Sequence, residues 1–247
     1  MFPYDPQLLA SLETPPTAVA DVLALMQSID SLTIAADGLH WFNGLYHSVT
    51  QAVEARIQAG GFSDAVFLAQ LDVQFANLYF NALRSSLTGE PLPACWNALF
   101  SVRSLPTLTR IQCALAGINA HINHDLPIAI VNTCQAASLA PQHSCVEYAD
   151  YTSLNATLDS LIEQAKHTLN IGKLGEAIPD GSVLEDTLAA WSVSAARETA
   201  WNNAELLWHL EPEAVLKASF LDSLDGLSTV VGKVLLTPLP DLEVLPD

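Results

Sequence analysis

PTLTRIQCALAGINAHINHDLPIAIVNTCQAASL, residues 106–139, decides the class of fold. No Asp, Glu, Lys or Arg lies between Arg110 and Asp125, and the apolar residues recur without strand-like alternation. A helix with so little polar surface belongs at the centre of a bundle, covered on most sides. Pro106 precedes it, and the spacing predicts a helix from Thr107 to about Leu139. Pro127 has no N–H to donate, so a kink or break is expected just after His124-Asp125.

The flanking segments are also helical in period. Thr17, after Pro15-Pro16, reads as the N-cap of a helix to Leu32 with Val19, Val22, Leu23, Met26 and Ile29 on one face. A second runs from Asp37 to Ala59, carries Leu39, Phe42, Tyr46, Val49 and Val53, and is closed by Gly60-Gly61. Ser63-Asp64 opens a third, ending near Gly89 and Pro91, and a short segment spans Trp96 to Phe100. Beyond the central helix come a loop at Pro141–Val146, a helix from Tyr148 to Leu169 and a connection through Gly172, Pro179 and Gly181. Two more helices follow, Ser182–Leu210 and Pro212–Val234, then a proline-containing tail. The expectation is an all-α, single-domain helical bundle of about seven or eight helices over residues 1–247, its core roughly 17–236 and its tail 237–247 extended.

Composition narrows the function. Of the 247 residues, 50 % are apolar types and only 15 % Asp, Glu, Lys or Arg, which excludes a disordered chain. Polar residues interrupt every apolar stretch before roughly 18 residues, too short for a membrane span. The first residues carry Asp5, Glu13 and Asp21 in place of a basic leader, so a cytoplasmic protein is expected. Nine Lys+Arg against 27 Asp+Glu give a net charge of −18, which repels nucleic acid and anionic membranes. The surplus of apolar residues calls for a large interior, a ligand cavity or a homodimer interface. Cys95, Cys113, Cys134 and Cys145 form no C-x-x-C pair and read as free thiols. Neither glycine-rich phosphate motif occurs, so a nucleotide cofactor is not expected, and G-x-S-x-G is absent.

The chemistry concentrates in His121-Ile-Asn-His-Asp125, where His121 and Asp125, four apart, leave one helical face and His124 is a near neighbour. A second group, His40, Asn43 and His47 with Tyr46, shares a face of the second helix, and Asp72 is a carboxylate in the apolar third. Three interpretations stand side by side. A divalent metal would take His121, Asp125 and Asp72, with His40 or His124, from several helices, although H-E-x-x-H and paired Glu-x-x-His motifs are lacking. Without a metal, His121 is an acid/base oriented by Asp125 or Asp72. Alternatively, His121, Asn123 and Asp125 satisfy backbone groups freed by Pro127. Arg197 and Trp201 share a face, and Arg197 either pairs with buried Asp72 or Asp125 or lies on the surface with its stem on Trp201.

The segments FNGLYHSVT (42–50), LDVQFANLY (71–79), GINAHINHDL (117–126) and ARETAW (196–201) resemble an all-helical bacterial and fungal family of unknown function, over roughly Asp37 to Trp208. The H-I-N-x-D-L run is the most specific. The resemblance implies a helical fold and picks out His121, Asn123, Asp125, Asp72 and Arg197. His40, His47 and His124 lie outside its pattern, and Leu78 stands where a polar or basic residue is expected.

The leading functional expectation is an enzyme for a bulky, largely apolar small molecule, performing cyclisation, elimination or ester/lactone chemistry. His121, Asp125 and Asp72 would be catalytic; Asn123, His124, His40, Asn43, Tyr46, Tyr79, Arg197 and Trp201 would bind substrate. A metal-dependent hydrolase and a non-catalytic carrier of an apolar ligand are the alternatives. The pocket is expected beside His121, walled by the His40–Tyr46 and Asp72–Tyr79 faces and aromatic residues including Trp41, Phe42 and Phe75.

Overall fold

The central segment forms two consecutive helices, α6 (Arg110–Ala120) and α7 (Leu126–Ala136), joined by a π-helical turn, His121–Asp125. Within that turn Leu126 N–H reaches back five residues to His121 O. The wider turn takes up the residue that an α-register could not place ahead of Pro127, whose ring would strike the carbonyl four residues earlier. The helix therefore passes through Pro127 without ending there. Its start is capped by Thr109, which accepts from Gln112 N while the Gln112 side chain accepts from Thr109 N, so the helix begins at Arg110, three residues later than expected.

This is a computed structural model, and it describes residues 2–168 and 192–238. Preceding the central pair are α1 (Asp5–Ser11), α2 (Val19–Leu32), α3 (Gly38–Gln58), α4 (Ala65–Thr88) and α5 (Ala94–Phe100). Following it are α8 (Val146–Ser153), α9 (Asn155–Thr168), α10 (Val193–His209) and α11 (Ala214–Leu235). The fold is all-α, with no strand among the described residues. The expected connection through Gly172, Pro179 and Gly181, the helix start at Ser182 and the tail beyond Pro238 lie outside the described residues.

Caps explain most boundaries. Asp37 accepts from Leu39 N at 2.9 Å and Asp64 from Phe67 N at 2.9 Å, opening α3 and α4. Gly89, at φ 76°, closes α4 in the left-handed conformation that glycine adopts freely. Thr17 is not the cap of α2. Asp21 reaches back instead and accepts from Thr17 N, Thr17 Oγ1 and Ala18 N, so the helix starts at Val19. The Tyr148–Leu169 expectation divides at Leu154 into α8 and α9, with Cys145 Sγ accepting from Tyr148 N at the start.

One apolar core runs through the bundle from Leu8 to Leu236, with Phe42, Tyr79, Trp96 and Trp201 among its buried rings. The central pair packs against α3, α4, α10 and α11, as its lack of charge predicts. All four cysteines are free. No helix among the described residues is long and apolar enough to cross a membrane. Val215, Leu216, Leu227 and Val230 remain exposed on α11.

At the closest approach of α6 to α3, a Cβ on Gly117 would lie 2.4 Å from the Phe42 ring. Gly117→Ala gains about 1 kcal/mol of helix propensity but forces a buried aromatic residue aside, which costs more. A net loss of about 1–2 kcal/mol in urea denaturation is expected; unchanged stability would show that Phe42 has room to move.

Candidate functional site

The π-turn brings three titratable side chains together without solvent. Asp125 is 1 % exposed, His121 2 % and His124 8 %. Asp125 Oδ2 lies 2.9 Å from His121 Nδ1, and Oδ1 lies 2.7 Å from His124 Nδ1. From α5, Trp96 Nε1 also donates to Oδ2 at 2.9 Å. Burial alone would raise the Asp125 carboxyl, but the bonds from the two imidazoles outweigh it and hold the group below its ordinary value. An ionised carboxylate only accepts, so the Nδ1 of each histidine carries a proton.

The consequence for His121 is specific. Its Nδ1 is committed to Asp125, and its Nε2 is buried with no hydrogen-bond partner among the described residues. Burial is the main effect on this ring and lowers its pKa despite Asp125, leaving Nε2 a neutral lone pair. Five aromatic rings hold it in place. Phe75 stacks on it with centroids 3.4 Å apart, Tyr46 meets it at 4.5 Å, and Trp96, Phe42 and Tyr79 stand at 5.8, 5.9 and 6.2 Å. For His124, burial opposes the charged ring but the Asp125 bond and the charges of Asp125 and Asp225 prevail, raising its pKa.

A cavity of about 60 Å³ borders His121, between α3, α4, the central segment, α9 and α10. Phe42, Tyr46, Phe75 and Ile118 line it beside His121, and Arg197 contributes to its wall. Its volume is small, on the order of two water molecules. A larger recess of about 790 Å³, bordered by Thr17, Glu54, Gln74 and Thr133, does not reach His121.

Several expected site residues serve the fold instead. Asn43 donates from Nδ2 to Met26 O and Asp30 Oδ1 and accepts from Tyr79 Oη, so neither Asn43 nor Tyr79 has its polar group to offer a ligand. His40 meets Thr33 Oγ1 at 3.1 Å, and Trp41 donates to Ala35 O; neither borders the cavity. Asn123 donates to Asn119, which in turn donates to Ser228 O on α11. Trp201 is fully buried against Tyr148 and Tyr151.

Asp72 does not join the histidines. It is buried beyond the cavity lining, its Oδ2 has no partner among the described residues, and burial with the charge of Glu54 raises its pKa to about 7. Nor does Arg197 pair with Asp72 or Asp125. Its Nε donates to Asn155 Oδ1 and its Nη2 to Tyr151 O, both at 2.8 Å. The expected metal ligands His121, Asp125 and Asp72 are therefore not a ligand set, and no group of three His, Cys, Asp or Glu side chains among the described residues could hold a metal ion. Trp96, Tyr151 and Asn155 were not legible as site residues, since each meets its partner only through the docking of separate helices.

Together these features describe an all-helical protein with a His–Asp pair, ringed by aromatic side chains, buried at a helix irregularity beside a small cavity. Residues 19–238 match DUF5995, a family of unknown function, and the chain belongs to it. Comparison with curated proteins and with solved structures returns no match.

Proposed function

We propose that this protein is an enzyme that moves a proton on a small molecule, with His121 Nε2 as the base and Asp125 fixing its tautomer. The observation that carries this is the buried Nε2, without a partner among the described residues, of a histidine that borders a cavity, while its Nδ1 is held at 2.9 Å by an ionised carboxylate. An unpaired polar atom in a core is costly, and π-turns recur at functional sites. Elimination, cyclisation and ester or lactone chemistry all need such a base, and none needs a redox group. The substrate portion that reaches Nε2 is small, given the cavity of about 60 Å³. Four free cysteines fit a cytoplasmic setting.

His121→Gln keeps the approximate volume and removes the base. Incubating wild type and variant with pooled small-molecule extracts and following consumption by mass spectrometry is the test. Wild type is expected to consume a compound about 10²–10⁴ times faster than the variant. Equal consumption, or ligands bound by both and turned over by neither, overturns the proposal, and the second outcome makes the protein a carrier. The base works only when deprotonated, and burial lowers its pKa from 6.5. The rate should therefore rise with pH through a midpoint below 6.5 and then stay level.

A further inference from the structure

The two buried arginines among the described residues are treated differently. Arg103 has Asp5 and Asp37 as carboxylate partners. Arg197, 7 % exposed, has no carboxylate within salt-bridge distance among the described residues. Its contacts are neutral: Asn155 Oδ1, the Tyr151 carbonyl and the Tyr151 ring, 3.8 Å from the guanidinium carbon. Asp159 acts on it only at longer range, and its carboxylate accepts from Ser194 Oγ at 2.5 Å. In a chain with 27 acidic residues for 9 basic ones, a counter-ion would be easy to supply. A guanidinium buried without one is expensive, because desolvation is not repaid by an opposite charge.

Arg197 lines the same cavity as His121, and the remaining wall is apolar, including Leu45, Ile122, Leu158 and Val193. We infer that this cavity receives a small carboxylate with a short hydrocarbon part, its anionic group paired with Arg197. This rests on the reading of the His121 cavity as a ligand site and adds the class of ligand. A planar guanidinium matches a carboxylate in shape and charge. The neutral imidazole of His121 and the apolar wall suit the uncharged remainder. The volume of about 60 Å³ limits that remainder to a few atoms.

The test compares propionate with its neutral isostere propionamide by isothermal titration to the full chain, at neutral pH and constant chloride. Propionate is expected to bind at least about tenfold more tightly, a difference of one ordinary charge-assisted contact. Arg197→Met should abolish the preference, Arg197→Lys should retain part of it, and His121→Gln should leave it in place. Equal affinity for the two probes in wild type, no saturable binding of acetate, propionate or butyrate at millimolar concentrations, or a preference that survives Arg197→Met each overturns the inference. The wild-type comparison does not depend on any variant folding. Loss of the preference with His121-dependent turnover intact would remove the carboxylate alone; His121-independent turnover with the preference intact would remove only the base.

Discussion

Arg103→Met lowers folding stability by about 3–5 kcal/mol, on the order of 10 °C in melting temperature for a chain of this size. Arg103, in the turn after α5, binds Asp5 of α1 and stands 3.7 Å from Asp37, the cap of α3. Tyr4 Oη donates to Asp37 at 2.9 Å, and Phe2 packs on the guanidinium at 5.1 Å. Methionine fills similar space, so the substitution isolates the charge. It leaves two carboxylates that are 6 % and 0 % exposed without their cation.

The pH dependence identifies this cause. Burial already raises the Asp37 carboxyl, and Arg103 is the main group pulling it down. Without Arg103 its pKa rises further. A raised folded pKa contributes stability that is present below the unfolded value and lost as pH climbs through the folded one. The deficit should therefore grow as pH rises and shrink on acidification toward about pH 4. Urea denaturation of both proteins across that range measures it. A deficit below about 1 kcal/mol, or one constant with pH, would mean that the cluster does not anchor α1.

Asp72→Asn has the opposite sign: it stabilises the protein by about 2–4 kcal/mol above pH 7 and by little near pH 4. The carboxyl is raised from 3.8 to about 7, chiefly by burial and then by Glu54. Folding therefore favours the protonated acid, and wild-type stability falls as pH rises between those two values. The amide never ionises and removes that fall. Stability curves of wild type and variant that stay parallel from acid to neutral pH would contradict it. Turnover should persist in this variant, since Asp72 does not border the His121 cavity.

The core of the fold was readable because its determinants are local. The charge-free run from Arg110 to Asp125 could only be a covered helix, and Asp37, Asp64 and Gly89 bound α3 and α4 by caps within a few residues of themselves. The pairing of His121 with Asp125 was legible for the same reason, since four residues along one helix bring two side chains together before any helix has docked. Even Pro127 announced an irregularity, because a missing N–H is a property of one residue. Its form was another matter. Whether the backbone breaks, kinks or widens depends on what the neighbouring helices allow, and here the two halves stay helical through a π-turn packed among them.

Asp72, Asn43 and Arg197 show where local pattern stops. All are polar residues in apolar helices, and the sequence marked them equally as site residues. Docking separated them. Asn43 was absorbed by Met26, Asp30 and Tyr79, Asp72 was buried away from the histidines, and Arg197 was turned to Tyr151 and Asn155 at the cavity wall. Helix class, caps and the His–Asp spacing thus followed from residues a turn or less apart. The imidazole nitrogen left unpaired among the described residues, the third donor from Trp96 and the arginine with no carboxylate partner among those residues followed from contacts between helices. A periodic pattern specifies which face a helix buries, but the partner that meets each buried polar atom is chosen by packing across the whole bundle.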